Sequence, residues 1–295
     1  MNQNLDESLR RNVELLAETT PEEENISSSG CAFPSIKALQ EAVDLVKSIV
    51  FPDYFGRSRR SGMLRTHYIG ANVEKLFSIL LEEIGKGFHF CNSGNRECIP
   101  QKIAADFIGC LPEIKRLLLT DVDAMFNNDP AVDNKGEVIL CYPVVHAMIH
   151  YRVAHALLEL GVPVIPRILT ELAHSATGID IHPGASIGEY FAIDHGTGVV
   201  IGETAIIGNH VTLYQGVTLG AKNFSLDSQG HPINIPRHPI IEDNVTIYSN
   251  ATVLGRITVG KNSIIGGNIW LTYSVPPGSK ILQRRAGNMS VNDKL

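Results

Sequence analysis

The chain lacks the marks of several broad classes. Its 25 basic side chains are outnumbered by 31 acidic ones, for a net charge of −6. Without a basic excess to neutralise phosphates, nucleic-acid binding is not expected. No apolar run approaches the roughly 18–20 residues that span a bilayer, so no membrane partner is expected either. The N-terminal MNQNLDESLRRNVELLAETTPEEEN has no apolar stretch of the kind that begins a secretory signal. The five cysteines, Cys31, Cys91, Cys98, Cys110 and Cys141, are odd in number, and none sits in a CxxC pair. A disulfide framework and a zinc knuckle are therefore not expected, and a reducing cytoplasm is. What is present is apolar residue, 44% of 295 positions, enough for a sizeable core. At roughly 150 residues per domain the length suggests about two domains.

The two halves follow different rules. Up to residue 176 the apolar residues recur at helical spacing, in IKALQEAVDLVKSIV (36–50), ANVEKLFSILLEEIG (71–85) and QKIAADFIGCLPEIKRLLLTDVDAMF (101–126). Pro112 predicts a break or kink in the third of these. Residues 144–160 and 165–176 predict two more helices, parted by Gly161 and Pro163. The polar, turn-rich 23–30 and 127–137 predict loops. The extreme N-terminus is expected to be mobile.

After residue 176 the period becomes six. Hexads open at Ile181, Ile187 and Ile193, then, after the two extra residues Val199 and Val200, at Ile201, Ile207, Leu213 and Leu219. They resume at Ile241, Ile247, Val253, Val259, Ile265 and Leu271. Every hexad opens on an aliphatic residue, and its fifth position is mostly small or β-branched. More than ten hexads in this order predict short strands stacked as a parallel β-helix, over 177–278, with the first position pointing into a narrow core. Residues 221–239 leave the period and predict a loop projecting from one face. Residues 279–295 are expected to form a tail that builds no further coil.

Polar residues that break the hexad pattern gather at Asp180, His182, Asp194, His195, Arg237 and His238. A histidine titrates near neutrality, so His195 is the candidate general base. It needs a carboxylate to orient its ring. Adjacent strand residues point apart, which argues against Asp194. Asp180 lies fifteen residues back, close to one 18-residue coil, and is the better candidate. Arg237 offers a planar fork suited to a carboxylate. His210 is read as structural or solvent-facing, and His231 has no assigned role. His182, His195, His210 and His238 are numerous enough for a three-histidine zinc site of a β-helical carbonic anhydrase, but their spacing does not make them converge. No metal is expected.

FPDYFGR (51–57), DPAVD (129–133), DIHPGASIG (180–188), DHGTGVVIGETAIIG (194–208), VTLG (217–220) and RHP (237–239) together closely resemble the serine acetyltransferases. That resemblance implies a helical N-terminal domain followed by a left-handed β-helix. It implies acetyl transfer from acetyl-CoA, a co-substrate and not a resident cofactor, to the hydroxyl of L-serine in cysteine biosynthesis. Its catalytic pair falls on His195 and Asp180, its serine-binding residues on Asp129, Asp194, Arg237 and His238. Expected acetyl-CoA contacts are Gly220, Ala221, Ser249 and Gly267. The resemblance further implies a homotrimer or a dimer of trimers, and docking onto O-acetylserine sulfhydrylase through a C-terminal tail that here ends in Leu295. Three departures stand out: LGAKNF (219–224) replaces LGGTGK, the insertion is longer than in many relatives, and GSKILQRRAGN (278–288) replaces a GxPAR-like stretch. Two alternatives are a hexapeptide acetyltransferase for another hydroxyl, such as a sugar or homoserine, and a non-enzymatic scaffold for the sulfhydrylase. Asp129 and the Arg237–His238 pair favour an amino-acid acceptor.

Overall fold

A computed structural model describes residues 3–20, 23, 33–56, 62–91, 99–223 and 225–283. The proposed tail anchor at Leu295 lies outside these residues. The N-terminal segment contains an amphipathic helix, α1 (Gln3–Ala17). Leu5, Leu9, Val13 and Leu16 recur at helical spacing along it and are exposed. The helical body comprises α2 (Ile36–Val50), α3 (Pro52–Phe55), α4 (Met63–Phe90), α5 (Pro100–Asn128), α6 (Lys135–Cys141), α7 (Pro143–Glu159) and α8 (Ile165–Thr177). None of the described helices is long and apolar enough to cross a membrane.

Local chemistry sets several of these ends. Ser35 Oγ accepts the N–H of Ala38 and starts α2, and Asn134 does the same for Glu137 in α6. Pro143 opens α7, where its missing N–H costs nothing. Gly178, at φ 70°, closes α8 in the left-handed region. Pro112 does not break α5: Phe107, Leu111, Ile114 and Leu118 bury one continuous stripe across it, and that packing outweighs the lost hydrogen bond.

From Asp180 onward the chain winds into a three-sided coil. Its first sheet is β1 (Asp180–Ile181), β4 (Val200–Ile201), β7 (Thr218–Gly220), β10 (Thr252–Leu254) and β13 (Trp270–Leu271). The second is β2 (Ser186–Ile187), β5 (Ile206–Ile207), β8 (Ile240–Ile241) and β11 (Thr258–Val259). The third is β3 (Ala192–Asp194), β6 (Thr212–Tyr214), β9 (Thr246–Ile247), β12 (Ile264–Ile265) and β14 (Lys280–Ile281). All pairings are parallel and in register. The hexad-opening residues from Ile181 to Leu271 are each at most 8% exposed. Each such aliphatic side chain contributes about 1.5–3 kcal/mol relative to exposure. Asn244, Asn250, Asn262 and Asn268 take the tight corners at positive φ, a conformation asparagine tolerates better than most residues.

The coil extends past the expected boundary at residue 278. Lys280 and Ile281 pair with Ile264 and Ile265, and Ile281 packs against the core, so the tail begins later than its turn residues suggested. The aliphatic Ile281 keeps the inward register after the Pro276–Pro277–Gly278 turn.

Helices and coil are welded at the first turn of the β-helix. Arg152 of α7 donates to both carboxylate oxygens of Asp121 of α5, at 2.8 and 2.9 Å, with both side chains buried. The same guanidinium donates to the carbonyl of Gly188 at 2.9 Å, and Asp121 accepts the N–H of Phe191 at 3.3 Å. Burial raises the Asp121 pKa, while Arg152 and the Phe191 N–H oppose that rise. Tyr151 adds a hydrogen bond to the Ala185 carbonyl at 2.7 Å. Asp121→Ala strands a buried guanidinium, so it is expected to cost about 3–5 kcal/mol of stability. Urea unfolding of the variant measures this, and a loss within about 0.5 kcal/mol of zero would show the weld to be dispensable.

Candidate active site

One polar group forms where the third sheet turns into the first. Here the two extra residues are accommodated in a bulge, His195–Gly198, with positive φ at His195, Gly196 and Gly198. Val199 is fully buried and takes over the fifth hexad position, while the His195 side chain is pushed out to 73% exposure. Its Nε2 lies 3.9 Å from Asp194 Oδ1. The expectation that neighbours on a strand point apart does not apply, because β3 ends at Asp194 and φ at His195 is 59°.

Asp129 joins this group from the end of α5. Asn128 Nδ2 donates to Thr212 Oγ1 of β6 at 3.1 Å and ties the helix end to the sheet carrying Asp194. The Asp129 carboxylate accepts the Tyr142 hydroxyl at 2.5 Å and the Ala131 N–H at 2.8 Å. Those bonds hold its pKa below the usual carboxylate range, with His195 adding to the effect. Tyr142 is correspondingly pushed up to about 12. Tyr214, the rung neighbour of Asp194, stacks on Tyr248 with ring centroids 4.9 Å apart.

Asp180 is placed differently from the spacing argument. The bulge makes this coil twenty residues long, so Asp180 pairs with Val200 in the first sheet. Its carboxylate lies 3.9 Å from Arg167 Nη1 of α8, and among the described residues no ion pair joins it to His195. The two remain close in the backbone: the Gly198 N–H donates to the Gly178 carbonyl at 2.8 Å, stacking the bulge over the lead-in to Asp180.

A second group occupies the corner between the first and second sheets, where the insertion returns. Arg237 Nη2 donates to Glu203 Oε2 at 2.6 Å and Nη1 to Asn234 Oδ1 at 2.9 Å, so part of its fork is already engaged. Thr204 Oγ1 accepts the N–H groups of Arg237 and His238, at 2.8 and 3.0 Å. His238 Nδ1 accepts the Thr204 N–H at 3.1 Å, which leaves the ring proton on Nε2. Burial, with Arg237 beside it, lowers the His238 pKa to about 4, so it meets a ligand as a neutral donor. Its ring lies across Gly202, where a Cβ would come 2.0 Å from Cδ2; only glycine fits.

The six proposed catalytic and substrate-binding residues thus divide. Asp129, Asp194 and His195 stand at one corner, Arg237 and His238 at another, and Asp180 lies on the first sheet beside α8. The proposed acetyl-CoA positions divide too. Ser249 and Gly267 are stacked on the corner column that includes His195, while Gly220 and Ala221 lead into the insertion. The four histidines weighed for zinc do not gather: His210 stacks on Tyr190 and His182 Nδ1 accepts the Gly184 N–H. Among the described residues the set able to converge on an ion is Glu171, His174 and Asp180.

A family model for the bacterial transferase hexapeptide (six repeats) matches residues 238–268. A plasmid serine acetyltransferase of Synechococcus elongatus is 47% identical over 260 residues, covering 85% of this chain and 82% of the relative. The chain belongs to the serine acetyltransferase family. Serine acetyltransferase 1 of Entamoeba histolytica, solved in complex with L-cysteine, superposes with a TM-score of 0.72 at 39% identity, covering 82% of this chain and 86% of that one. The soybean serine acetyltransferase complexed with serine gives a TM-score of 0.56 at 26% identity, covering 85% of this chain and 98% of that one. The coil is left-handed, as the family's hexapeptide β-helix is.

Sequence reasoning missed Tyr142, Glu203 and Thr204. Each acts through a partner far along the chain, and none breaks a local pattern. Thr204→Val should free two N–H groups at Arg237 and His238 and cost about 2 kcal/mol or more. Denaturant unfolding and faster amide exchange at those two residues measure the loss; unchanged exchange would show that Thr204 does not anchor the loop.

Proposed function

We propose that the chain transfers the acetyl group of acetyl-CoA to the hydroxyl of L-serine, yielding O-acetyl-L-serine and CoA for cysteine biosynthesis, with His195 as general base. The observation that carries this reading is the gathering of Asp129, Asp194 and His195 around one corner, in a chain 47% identical to a serine acetyltransferase over most of its length. A reducing cytoplasm suits this chemistry.

Serine's hydroxyl is a weak nucleophile near neutral pH. His195 removes its proton as the oxygen attacks the thioester carbonyl, and returns a proton to the CoA thiolate when the tetrahedral intermediate collapses. Asp129 and Asp194 hold the substrate ammonium. As Asp194 turns to that ammonium, the exposed His195 ring is released to Asp180, which orients it and stabilises its charge. The unengaged N–H groups of Arg237 and the Nε2–H of His238 hold the carboxylate. Anchoring both ends of serine places its hydroxyl and lowers the entropic barrier.

Because Arg237 and His238 stand at a different corner from His195, we place each site between subunits of a closed homotrimer, one chain supplying the base and the next the carboxylate clamp. Pairing of two trimers and docking of the tail onto O-acetylserine sulfhydrylase are compatible additions.

An acceptor panel tests the activity. Thiol release from acetyl-CoA should depend on L-serine, and His195→Ala should lower turnover at least ~100-fold in a folded protein. Preference for homoserine or a galactoside would transfer the reading to another acceptor. Mixing His195→Ala and Arg237→Ala subunits tests the shared site: random assembly restores both groups in roughly a quarter of sites. No recovery in verified mixed oligomers would place the whole site within one chain.

A further inference from the structure

Besides donating to Asp129, Tyr142 lines a cavity of about 290 Å3 in the helical body that Asp129, Asp194, His195, Arg237 and His238 do not line. Phe55, Leu140, Val145 and Ile149 give it hydrocarbon walls. One cation enters it. Lys47 is only 14% exposed; it donates to Asp44 Oδ1 at 3.1 Å and faces His146 Nδ1 at 3.2 Å. An ammonium has three N–H groups, so one is left for a ligand. Burial, with Lys47 beside it, lowers the His146 pKa to about 4. Neutral His146, accepting from Lys47 at Nδ1, carries its proton on Nε2 and offers a second donor.

This lining suits a single negative charge on an apolar body. Asp44 already offsets part of the Lys47 charge, and a phosphate dianion would bring a second charge that no lining group pairs. We propose that the cavity binds a small monocarboxylate with an apolar tail of about four to six carbons, and that filling it steadies Tyr142 and, through it, Asp129. The ligand favours the ring position in which the hydroxyl reaches Asp129, and so favours serine binding. By linkage, serine tightens the ligand by the same factor. The coupling rests on the reading of Asp129 as an ammonium site; binding to the cavity does not.

Calorimetric titration of the full chain with sodium hexanoate, and with hexanamide as the uncharged control, tests this. Hexanoate should bind once per chain, with hexanamide roughly tenfold weaker and Lys47→Met weakening hexanoate by about the same factor. Saturating serine should tighten hexanoate about twofold or more, and Tyr142→Phe should keep hexanoate binding but lose that coupling. Absence of hexanoate binding, or equal binding of acid and amide by the unaltered protein, overturns the site without needing any variant to fold. Hexanoate binding that ignores bound serine overturns the link through Tyr142. Failure of serine itself to bind, with hexanoate still discriminated from the amide, overturns the functional reading and leaves the cavity site standing.

Discussion

A three-sided coil has room inside for one aliphatic side chain at each strand and a smaller one at each corner. That constraint decides where polar chemistry can stand. The inward column from Ile181 to Leu271 admits no charge, so reactive groups are confined to outward positions, corners and insertions. His195 is exposed because two extra residues widen one corner while Val199 keeps the inward register. The 221–239 insertion works similarly: Thr218 still pairs with Thr252 across it, so the coil continues undisturbed while the loop delivers Arg237 and His238 to another corner.

The helical half contributes by fixing one end of that coil. Asp121 and Arg152 come from two helices, and their spare hydrogen-bonding capacity goes to backbone groups at Gly188 and Phe191. A buried pair satisfied this way orients the α5 axis against the third sheet. The end of α5 then carries Asp129 to the corner where Asp194 and His195 stand, with Asn128 and Thr212 completing the tie. A displacement of the helices would therefore be felt at the proposed ammonium site before it was felt in the coil.

Few of the proposed groups are free before substrate arrives. Asp129 is held by Tyr142 and Ala131, Arg237 by Glu203 and Asn234, and His238 by Thr204. Such engagement limits rotamer freedom and lowers the entropic cost of binding. His195 is the contrast. Exposed, on a left-handed residue and only 3.9 Å from one carboxylate, it has freedom to exchange partners during proton transfer.

Much of this was legible along the chain. The change from helical spacing to a six-residue period marked the two architectures, because each period mirrors a repeating geometry that buries the same positions at every turn. The motifs around His195 and Arg237 pointed to the family because they depart from the repeat, and the motif around Asp129 did so from the polar turn that follows α5. Spacing alone did not give the coil length. Asp180 was assigned by nearness to an 18-residue coil, whereas the bulge makes this coil twenty residues long, pairs Asp180 with Val200 and leaves its carboxylate beside Arg167 before substrate binds. Pro112 and Ile281 were misread because packing outweighed a local turn or break signal. Glu203 and Thr204 lay inside a quoted motif but, like Tyr142, had no readable role, since a hydrogen bond to a residue elsewhere in the chain leaves no period in the sequence. The separation of His195 from Arg237 was likewise decided by the tertiary structure: which corner a residue occupies depends on every bulge and insertion that precedes it.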